Sequence, residues 1–163
     1  MAHVVLISGS PSASSRTVTV LSALAAQLTE AGLSTSLAHA RELSDPQARQ
    51  TKDALALIAG SRAVVAGSPI YKASLTGLLK SFFDLLPPEA LKCEVAMPIA
   101  TGAAPGHALA IEHELAPLLF ALGADAVVRG QYFIDPDLAD GRLSPTAAAA
   151  LAAASSRLIG AAR

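Results

Sequence analysis

The sequence predicts an α/β protein in which five parallel strands form a sheet with helices on both faces. Short apolar runs bounded by Gly, Pro or Ser alternate along the chain with longer segments of helical periodicity. The short runs are apolar throughout and rich in β-branched residues, which is typical of strands buried on both faces of a parallel sheet. The 163 residues are enough for one well-packed core, so we expect a single domain over residues 1–163.

The individual elements follow from these patterns. Apolar runs predict strands at residues 4–7, 63–66, 95–100 and 126–128, with a weaker strand near 33–39. Apolar residues at spacings of three and four predict helices at residues 18–28, 46–59, 75–86, 108–122 and 146–159. Gly32, Gly123 and the Pro87-Pro88 pair mark helix ends. Because strands and helices alternate, we expect the flavodoxin-like strand order 2-1-3-4-5.

Composition and charge exclude several function classes. The net charge is −1, from 12 basic and 13 acidic residues, so no basic field would attract nucleic acid or a membrane surface. The apolar N-terminal run is too short for a signal peptide or a membrane span, and we expect a cytoplasmic protein. Hydrophobic residues make up 52% of the chain and charged residues 15%, which favours burial of surplus apolar surface against a second subunit.

Cys93 is the only cysteine, which excludes an intrachain disulfide and a cysteine zinc site within one chain. We interpret Cys93 as a buried structural residue of a strand. His107 and His113 are six positions apart and do not share a helix face, so we expect no metal site.

The loop after the first strand, residues 9–17, is the first candidate for ligand binding. In doubly wound sheets the ligand lies beyond the carboxyl ends of the strands, at the switch point beside strand 1. Hydroxyls and free backbone N–H groups at the start of a helix suit a phosphate, and Arg16 adds a guanidinium. The spacing matches neither a P-loop nor a G-x-G-x-x-G loop. A serine-rich helix cap and turn is the alternative interpretation.

The loop after the third strand, residues 67–74, is the second candidate. Pro69 would stiffen the backbone, so that neighbouring N–H groups face the polar edge of a planar ring. Tyr71 and Lys72 also fit ordinary surface positions. The absence of a G-x-S-x-G motif leaves a serine hydrolase without support.

The loop after the fourth strand, residues 101–107, is the third candidate. Its small residues, including Gly102, allow a flat ligand to approach the backbone closely. His107 either contacts that ligand or caps the next helix.

Together these loops resemble the NAD(P)H-dependent FMN reductase family, in particular the reductases that supply reduced flavin to sulfonate and sulfinate monooxygenases. The resemblance extends from residue 4 to about residue 137. It is carried by Gly9-Ser10-Pro11, Ser15-Arg16-Thr17, Ser68-Pro69-Ile70-Tyr71-Lys72-Ala73, Gly77-x-Leu79-Lys80 with Asp84-Leu85-Leu86-Pro87, and Ala100-Thr101-Gly102 with His107. Two departures concern flavin contacts. Ser12 stands where related sequences often have Arg, and Ala103-Ala104 replaces Gly-Thr.

The resemblance implies a role for each loop. The FMN phosphate would be held by Ser10, Ser15, Arg16 and Thr17. The isoalloxazine would be lined by Pro69, Ile70, Tyr71 and Lys72, and the site closed by Thr101, Gly102 and His107. The cofactors carry the hydride chemistry, so we expect no catalytic side chain.

The resemblance also implies an activity. NADPH or NADH would reduce FMN, and FMNH2 would pass to a partner monooxygenase in organosulfur assimilation, with the reductase a homodimer or homotetramer. Three alternatives remain: a quinone or azo reductase with FMN as prosthetic group, a flavodoxin-type electron carrier, and a flavin-free interaction module. The near-neutral charge and the absence of Trp disfavour the carrier, because flavodoxins are typically acidic and clamp the ring between aromatic residues.

The helix around residues 110–117 carries a further feature of the resemblance. Alkanesulfonate-type reductases have a tyrosine at the position of His113, in a one-residue insertion that makes a π-bulge at a subunit interface. His113 resembles the methanesulfonate and methanesulfinate branch instead, and a polar surface or interface residue is the alternative. We expect Pro117 to kink or open this helix.

Overall fold

The computed structural model describes residues 3–92 and 94–162, and it confirms a parallel sheet with helices on both faces. The strands are β1 (His3–Ser8), β2 (Ser34–His39), β3 (Ala63–Pro69), β4 (Val95–Gly102), β5 (Ala126–Val127) and β6 (Gln131–Ile134). Their order is β2-β1-β3-β4-β5, with β6 also paired to β4, and every pairing is parallel. Cys93 lies outside the described residues, so its assignment to a strand stays a prediction.

The fifth strand differs from the prediction, because it is divided into two short strands. β5 pairs with Val95 and Ala96 at the start of β4, whereas β6 pairs with residues 99–102 at its end. The interruption lies beside Pro98, which has no N–H to donate to a neighbouring strand. Gly130 also passes so close to Pro98 that a Cβ on it would lie 2.4 Å from the Pro98 carbonyl oxygen.

Helices cover both faces of the sheet: α1 (Arg16–Glu30), α2 (Arg49–Ala59), α3 (Gly77–Phe83), α4 (Ala116–Ala121) and α5 (Pro145–Ala162). Alternate residues of β1 point to opposite faces. Val4 and Leu6 pack in a core with α1 and α5, while Val5 and Ile7 pack in a core with α2, α3 and α4. Within the described ranges, no helix has both the length and the apolar character needed to cross a membrane.

Two predicted helices are shorter than expected. The helix predicted at 46–59 begins at Arg49, because Asp45 first forms a turn in which its carboxylate and carbonyl accept the N–H groups of Gln47 and Ala48. The helix predicted at 75–86 spans only Gly77–Phe83. Thr76 caps its start by accepting the Leu79 N–H.

The helix predicted at 108–122 is composite. A 3₁₀ turn (Pro105–Ala108) comes first, and a π-helical segment (Ile111–Leu115) leads into α4. Pro117 has no N–H for the carbonyl four residues earlier, and the Ala116 N–H donates to Ile111, five residues earlier. The expectation that Pro117 opens this helix is confirmed, and His113 lies at the centre of the π-helical segment.

Candidate functional site

A cleft of about 710 Å³ lies at the carboxyl ends of β1, β3 and β4. The structure brings all the sequence-predicted site residues together along its walls: Ser10, Ser15, Arg16, Thr17, Pro69, Ile70, Tyr71, Lys72, Thr101, Gly102 and His107. Their convergence follows from the topology, because parallel strands place their carboxyl ends at one edge of the sheet. That these residues bind FMN stays a prediction.

One end of the cleft is the N-terminus of α1. Ser15 is the N-cap, and its Oγ accepts the Val18 N–H at 3.2 Å. The other N–H groups of the first turn have no acceptor within the helix and carry the positive end of its dipole. The first turn contains no acidic residue, and the Arg16 side chain is 55% exposed beside it. This end of the cleft is suited to a phosphate.

The first two loops are fixed to each other by hydrogen bonds. The Gly9 N–H donates to the Gly67 carbonyl at 2.7 Å, and the Thr76 hydroxyl donates to the Gly9 carbonyl at 2.7 Å. A Cβ at Gly9 would lie 2.6 Å from the Leu79 Cβ, so only glycine allows this approach. The Ser10 side chain is buried, and its Oγ accepts the Ser12 N–H at 3.2 Å.

The third loop is tied to both of the others. The Thr17 and Thr101 hydroxyls are 2.7 Å apart and buried, which joins the start of α1 to the end of β4. The Ile70 N–H donates to the Thr101 carbonyl at 2.8 Å, which joins the second loop to the third. The three loops therefore form one preorganised frame around the cleft.

His107 lines this cleft and has one ring nitrogen buried without a partner among the described residues. Its ring is half-buried, and its Nδ1 is buried without a hydrogen-bond partner among the described residues. Gly102 lies against it, and a Cβ there would lie 3.4 Å from this Nδ1 and 2.8 Å from the Tyr132 hydroxyl oxygen. The Tyr132 hydroxyl donates to the Ala104 carbonyl at 2.8 Å. This Nδ1 is therefore enclosed by the protein, and the 3₁₀ turn that contains His107 has no side-chain cap.

The second loop ends in a tight turn at the edge of the cleft. Tyr71 and Ser74 exchange two backbone hydrogen bonds of 3.0 and 3.1 Å. Between them Lys72 has a φ of 52° and Ala73 a φ of 64°, the left-handed pair of a type I′ turn. A residue other than glycine costs about 1 to 3 kcal/mol in this conformation. The Tyr71 side chain remains 58% exposed.

A fourth wall of the cleft, which was not predicted from the sequence, comes from the segment after β6. Asp135, Leu138, Asp140 and Gly141 line the same cleft. The Asp135 carboxylate lies 3.5 Å from the Arg16 guanidinium, and its charge adds to the effect of burial in raising the pKa of Tyr132. The available signal was the Asp-Gly pair after the apolar run of β6. Asp140 and Gly141 do adopt positive φ, at 53° and 69°.

The volume of the cleft and the chemistry of its walls suit a mononucleotide. Its walls combine the free N–H groups of the α1 N-terminus and the Arg16 guanidinium with the small residues Gly102 and Ala103 of the third loop. These features, with the strand order, define a flavodoxin-like nucleotide-binding protein.

Comparison with known proteins identifies the family. Residues 2–138 match the family described as NADPH-dependent FMN reductase. The chain is 34% identical over 147 residues to FMN reductase (NADPH) of Pseudomonas putida strain KT2440, covering 83% of this chain and 73% of that protein. It is 31% identical over 158 residues to NADH-dependent FMN reductase SfnE of Pseudomonas putida, covering 91% and 85%. The chain therefore belongs to the NADPH-dependent FMN reductase family, as the sequence analysis predicted.

Solved structures agree with this assignment. An NADH:FMN oxidoreductase (EMOB) in its apo form superposes with a TM-score of 0.87 at 30% identity, covering 99% of this chain and 89% of the other. A WrbA-like flavodoxin from Agrobacterium tumefaciens has a TM-score of 0.76 at 15% identity, which supports the fold alone. FMN and reduced nicotinamides are the substrates or cofactors of the family.

Proposed function

We propose that this chain reduces FMN with NADH or NADPH and releases FMNH2 to a partner monooxygenase of sulfonate assimilation. The observation that carries the reductase proposal is the convergence of the α1 N-terminus with the second and third loops on one cleft. The partner and the sulfonate context rest on the sequence resemblance.

The proposal gives each loop a task. Ser10, Ser15, Arg16 and Thr17 hold the phosphate at the α1 N-terminus. Pro69, Ile70, Tyr71 and Lys72 line the ring, with Thr101, Gly102 and His107 on the other side. FMN supplies the ring that accepts a hydride from the nicotinamide, and the protein binds and orients the two molecules. The fixed loops provide this orientation without a catalytic side chain.

Weak retention of the ring favours FMN as a substrate over FMN as a prosthetic group. The chain has no Trp and only two Tyr residues. The Tyr132 hydroxyl is held by the Ala104 carbonyl, and Tyr71 lies in an exposed turn. Little aromatic area is therefore available to stack on the flavin. An enzyme that releases FMNH2 as product is slowed by tight binding of that product, so modest affinity suits the proposed activity.

Steady-state kinetics test the proposal. We expect purified protein to oxidise NADH or NADPH with saturable dependence on added FMN, and to retain little flavin after gel filtration. Comparing the two nicotinamides also establishes which is preferred. Flavin that stays bound through gel filtration, with turnover dependent on a quinone, would instead identify a prosthetic-group reductase. If neither NADH nor NADPH is oxidised with any acceptor, the protein would instead be an electron carrier or a binding module.

Arg16→Ala tests the phosphate end of the cleft. Loss of a charge-assisted hydrogen bond should raise the KM for FMN by roughly tenfold, with a much smaller change in kcat. Arg49→Ala is the matched control, because Arg49 is a 94% exposed arginine at the start of α2. An unchanged KM for FMN in Arg16→Ala would remove Arg16 from the proposed site.

The proposal includes self-association as a homodimer or homotetramer. Leu109 and Phe120, on either side of the π-helical segment, are 59% and 55% exposed. Apolar side chains exposed to this extent suit a subunit interface. Light scattering coupled to gel filtration should give a mass of two or four chains, and Phe120→Glu should lower it. A monomer at assay concentration would contradict this part of the proposal.

A further inference from the structure

Glu114 links the π-helical segment to the rim of the cleft. Its Oε2 accepts a hydrogen bond from the Ser74 hydroxyl at 2.7 Å and another from the Leu75 N–H at 2.9 Å. The Glu114 side chain is half-buried. One carboxylate oxygen therefore holds the end of the Tyr71–Ser74 turn, across 40 and 39 positions of the sequence.

The turn that Glu114 holds is one that its own residues disfavour. Lys72 and Ala73 both adopt the left-handed conformation, which Asn and Gly favour in type I′ turns. Such a conformation persists only where surrounding contacts impose it. The hydrogen bonds from Ser74 and Leu75 to Glu114 are charge-assisted contacts at the downstream end of the turn. At the upstream end the Ile70 N–H is bonded to the Thr101 carbonyl.

The π-helical segment directs Glu114 toward the turn. Ile111 and Leu115 are buried in the core, whereas Glu112 and His113 are exposed. Glu114, between the exposed and the buried residues, reaches the second loop and accepts hydrogen bonds from Ser74 and Leu75. π-Helical turns often occur at functional sites, and here the segment supplies a contact to a loop that lines the cleft.

We propose that Glu114 is a positioning residue for flavin reduction, because it fixes the strained turn that presents Tyr71 and Lys72 to the bound ring. This inference rests on the proposed function of the cleft. Glu114 acts through Ser74 and Leu75 rather than by touching the flavin. Its loss should therefore change binding of the flavin more than the chemistry that follows.

The test compares Glu114→Ala with Glu112→Ala, which removes an exposed carboxylate from the same π-helical segment. FMN binding is measured by quenching of flavin fluorescence, alongside KM, kcat and Tm. Glu114→Ala should raise both the Kd and the KM for FMN about five- to tenfold, with kcat within about twofold of wild type. Glu112→Ala should match the wild-type protein in all four quantities. Unchanged flavin affinity in Glu114→Ala, or a lower Tm and kcat at unchanged affinity, would overturn the inference.

A rescue variant separates positioning from general stability. Ala73→Gly removes the backbone strain at the second of the two central residues of the turn, so the turn should need less support from Glu114. Glu114→Ala/Ala73→Gly should therefore recover most of the lost FMN affinity, and failure to recover it would contradict the inference. FMN binding without turnover in the wild type would reject the reductase activity while leaving the Glu114 effect on Kd intact. Absence of FMN binding by the wild type would overturn both proposals.

Discussion

Glu94 is a buried carboxyl group at the end of the sheet opposite the cleft. It immediately precedes β4, its side chain is 3% exposed, and its Oε2 has no hydrogen-bond partner among the described residues. Burial raises the pKa of Glu94 to about 7 and outweighs the smaller opposite effect of the nearby Ser61 hydroxyl. Because Glu94 lies at the opposite end of the sheet from the cleft, its ionisation should affect the stability of the fold rather than ligand binding.

Glu94→Gln should stabilise the protein at pH 8 but leave its stability nearly unchanged near pH 4.5. The folded protein binds a proton at Glu94 more tightly than the unfolded chain does. Wild-type stability therefore falls as the pH rises from the unfolded pKa of 4.5 to the folded pKa of about 7, and the loss is constant above that. We expect a gain of about 1 to 2 kcal/mol at pH 8 from urea unfolding. Glu30→Gln, at an exposed position, is the control, and an equal gain at both pH values would contradict the prediction.

The Asp135 carboxylate pairs with the Arg16 guanidinium, which is also the proposed partner of the FMN phosphate. The Arg16–Asp135 pair, at 3.5 Å, is partly exposed, and such pairs contribute about 0.5 to 1 kcal/mol. A phosphate must compete with Asp135 for Arg16 and also approach a like charge. Asp135→Asn should therefore lower the Kd for FMN about two- to fivefold, measured by fluorescence titration. Asp53→Asn, which disrupts the exposed Arg49–Asp53 pair, should leave Kd unchanged. Equal or weaker FMN binding in Asp135→Asn would show that Asp135 does not oppose the phosphate.

At the scale of elements, the strands and helices predicted best are those for which a single sequence pattern determines the structure. The continuous apolar runs of β1, β3 and β4 and the periodic faces of α1 and α5 have no competing local signal. The sequence predicted less well where tertiary contacts decide. The division of the fifth strand depends on Pro98 in the neighbouring strand. The start of the shortened α3 is an exception, because a local cap, Thr76, determines it.

Gly9→Ala tests the close contact between the first loop and α3. The added Cβ would lie 2.6 Å from the Cβ of Leu79 in α3 and 2.9 Å from the Oγ1 of Thr76, the residue that caps α3. We expect a loss of about 2 kcal/mol in the free energy of unfolding, since such overpacking typically costs about 1 to 3 kcal/mol. Gly160→Ala is the matched control, because nothing lies within 4 Å of its Cβ position in α5. That variant should be stabilised by up to about 1 kcal/mol, because Ala favours the helix over Gly. Equal effects of both substitutions would show that the first loop yields to the added methyl group.

At the scale of the whole molecule, the position of the cleft was predictable, although not all of its walls were. The rule that ligands bind at the switch point beside strand 1 selected three loops, and the eleven residues that the family resemblance singled out in those loops all line one cleft. Asp135 and Asp140 were missed because they follow β6, a strand of only four residues that was not predicted from the sequence. The backbone of the Tyr71–Ser74 turn was also beyond prediction, because Lys72 and Ala73 are poor residues for it.

The frame of three loops couples ligand binding to global stability. Any molecule that binds only the folded protein stabilises it by about 2.7 kcal/mol at a hundred times its Kd. FMN should therefore raise Tm, and riboflavin, which has the same ring without the phosphate, should raise it less at equal concentration. In Arg16→Ala the difference between FMN and riboflavin should shrink, because much of it comes from the phosphate contact at the α1 N-terminus. The measurement is the Tm by differential scanning fluorimetry for the wild type and Arg16→Ala, each with FMN and with riboflavin. An equal shift from both flavins in the wild type would place the phosphate outside the α1 end of the cleft, even if the ring binds where proposed.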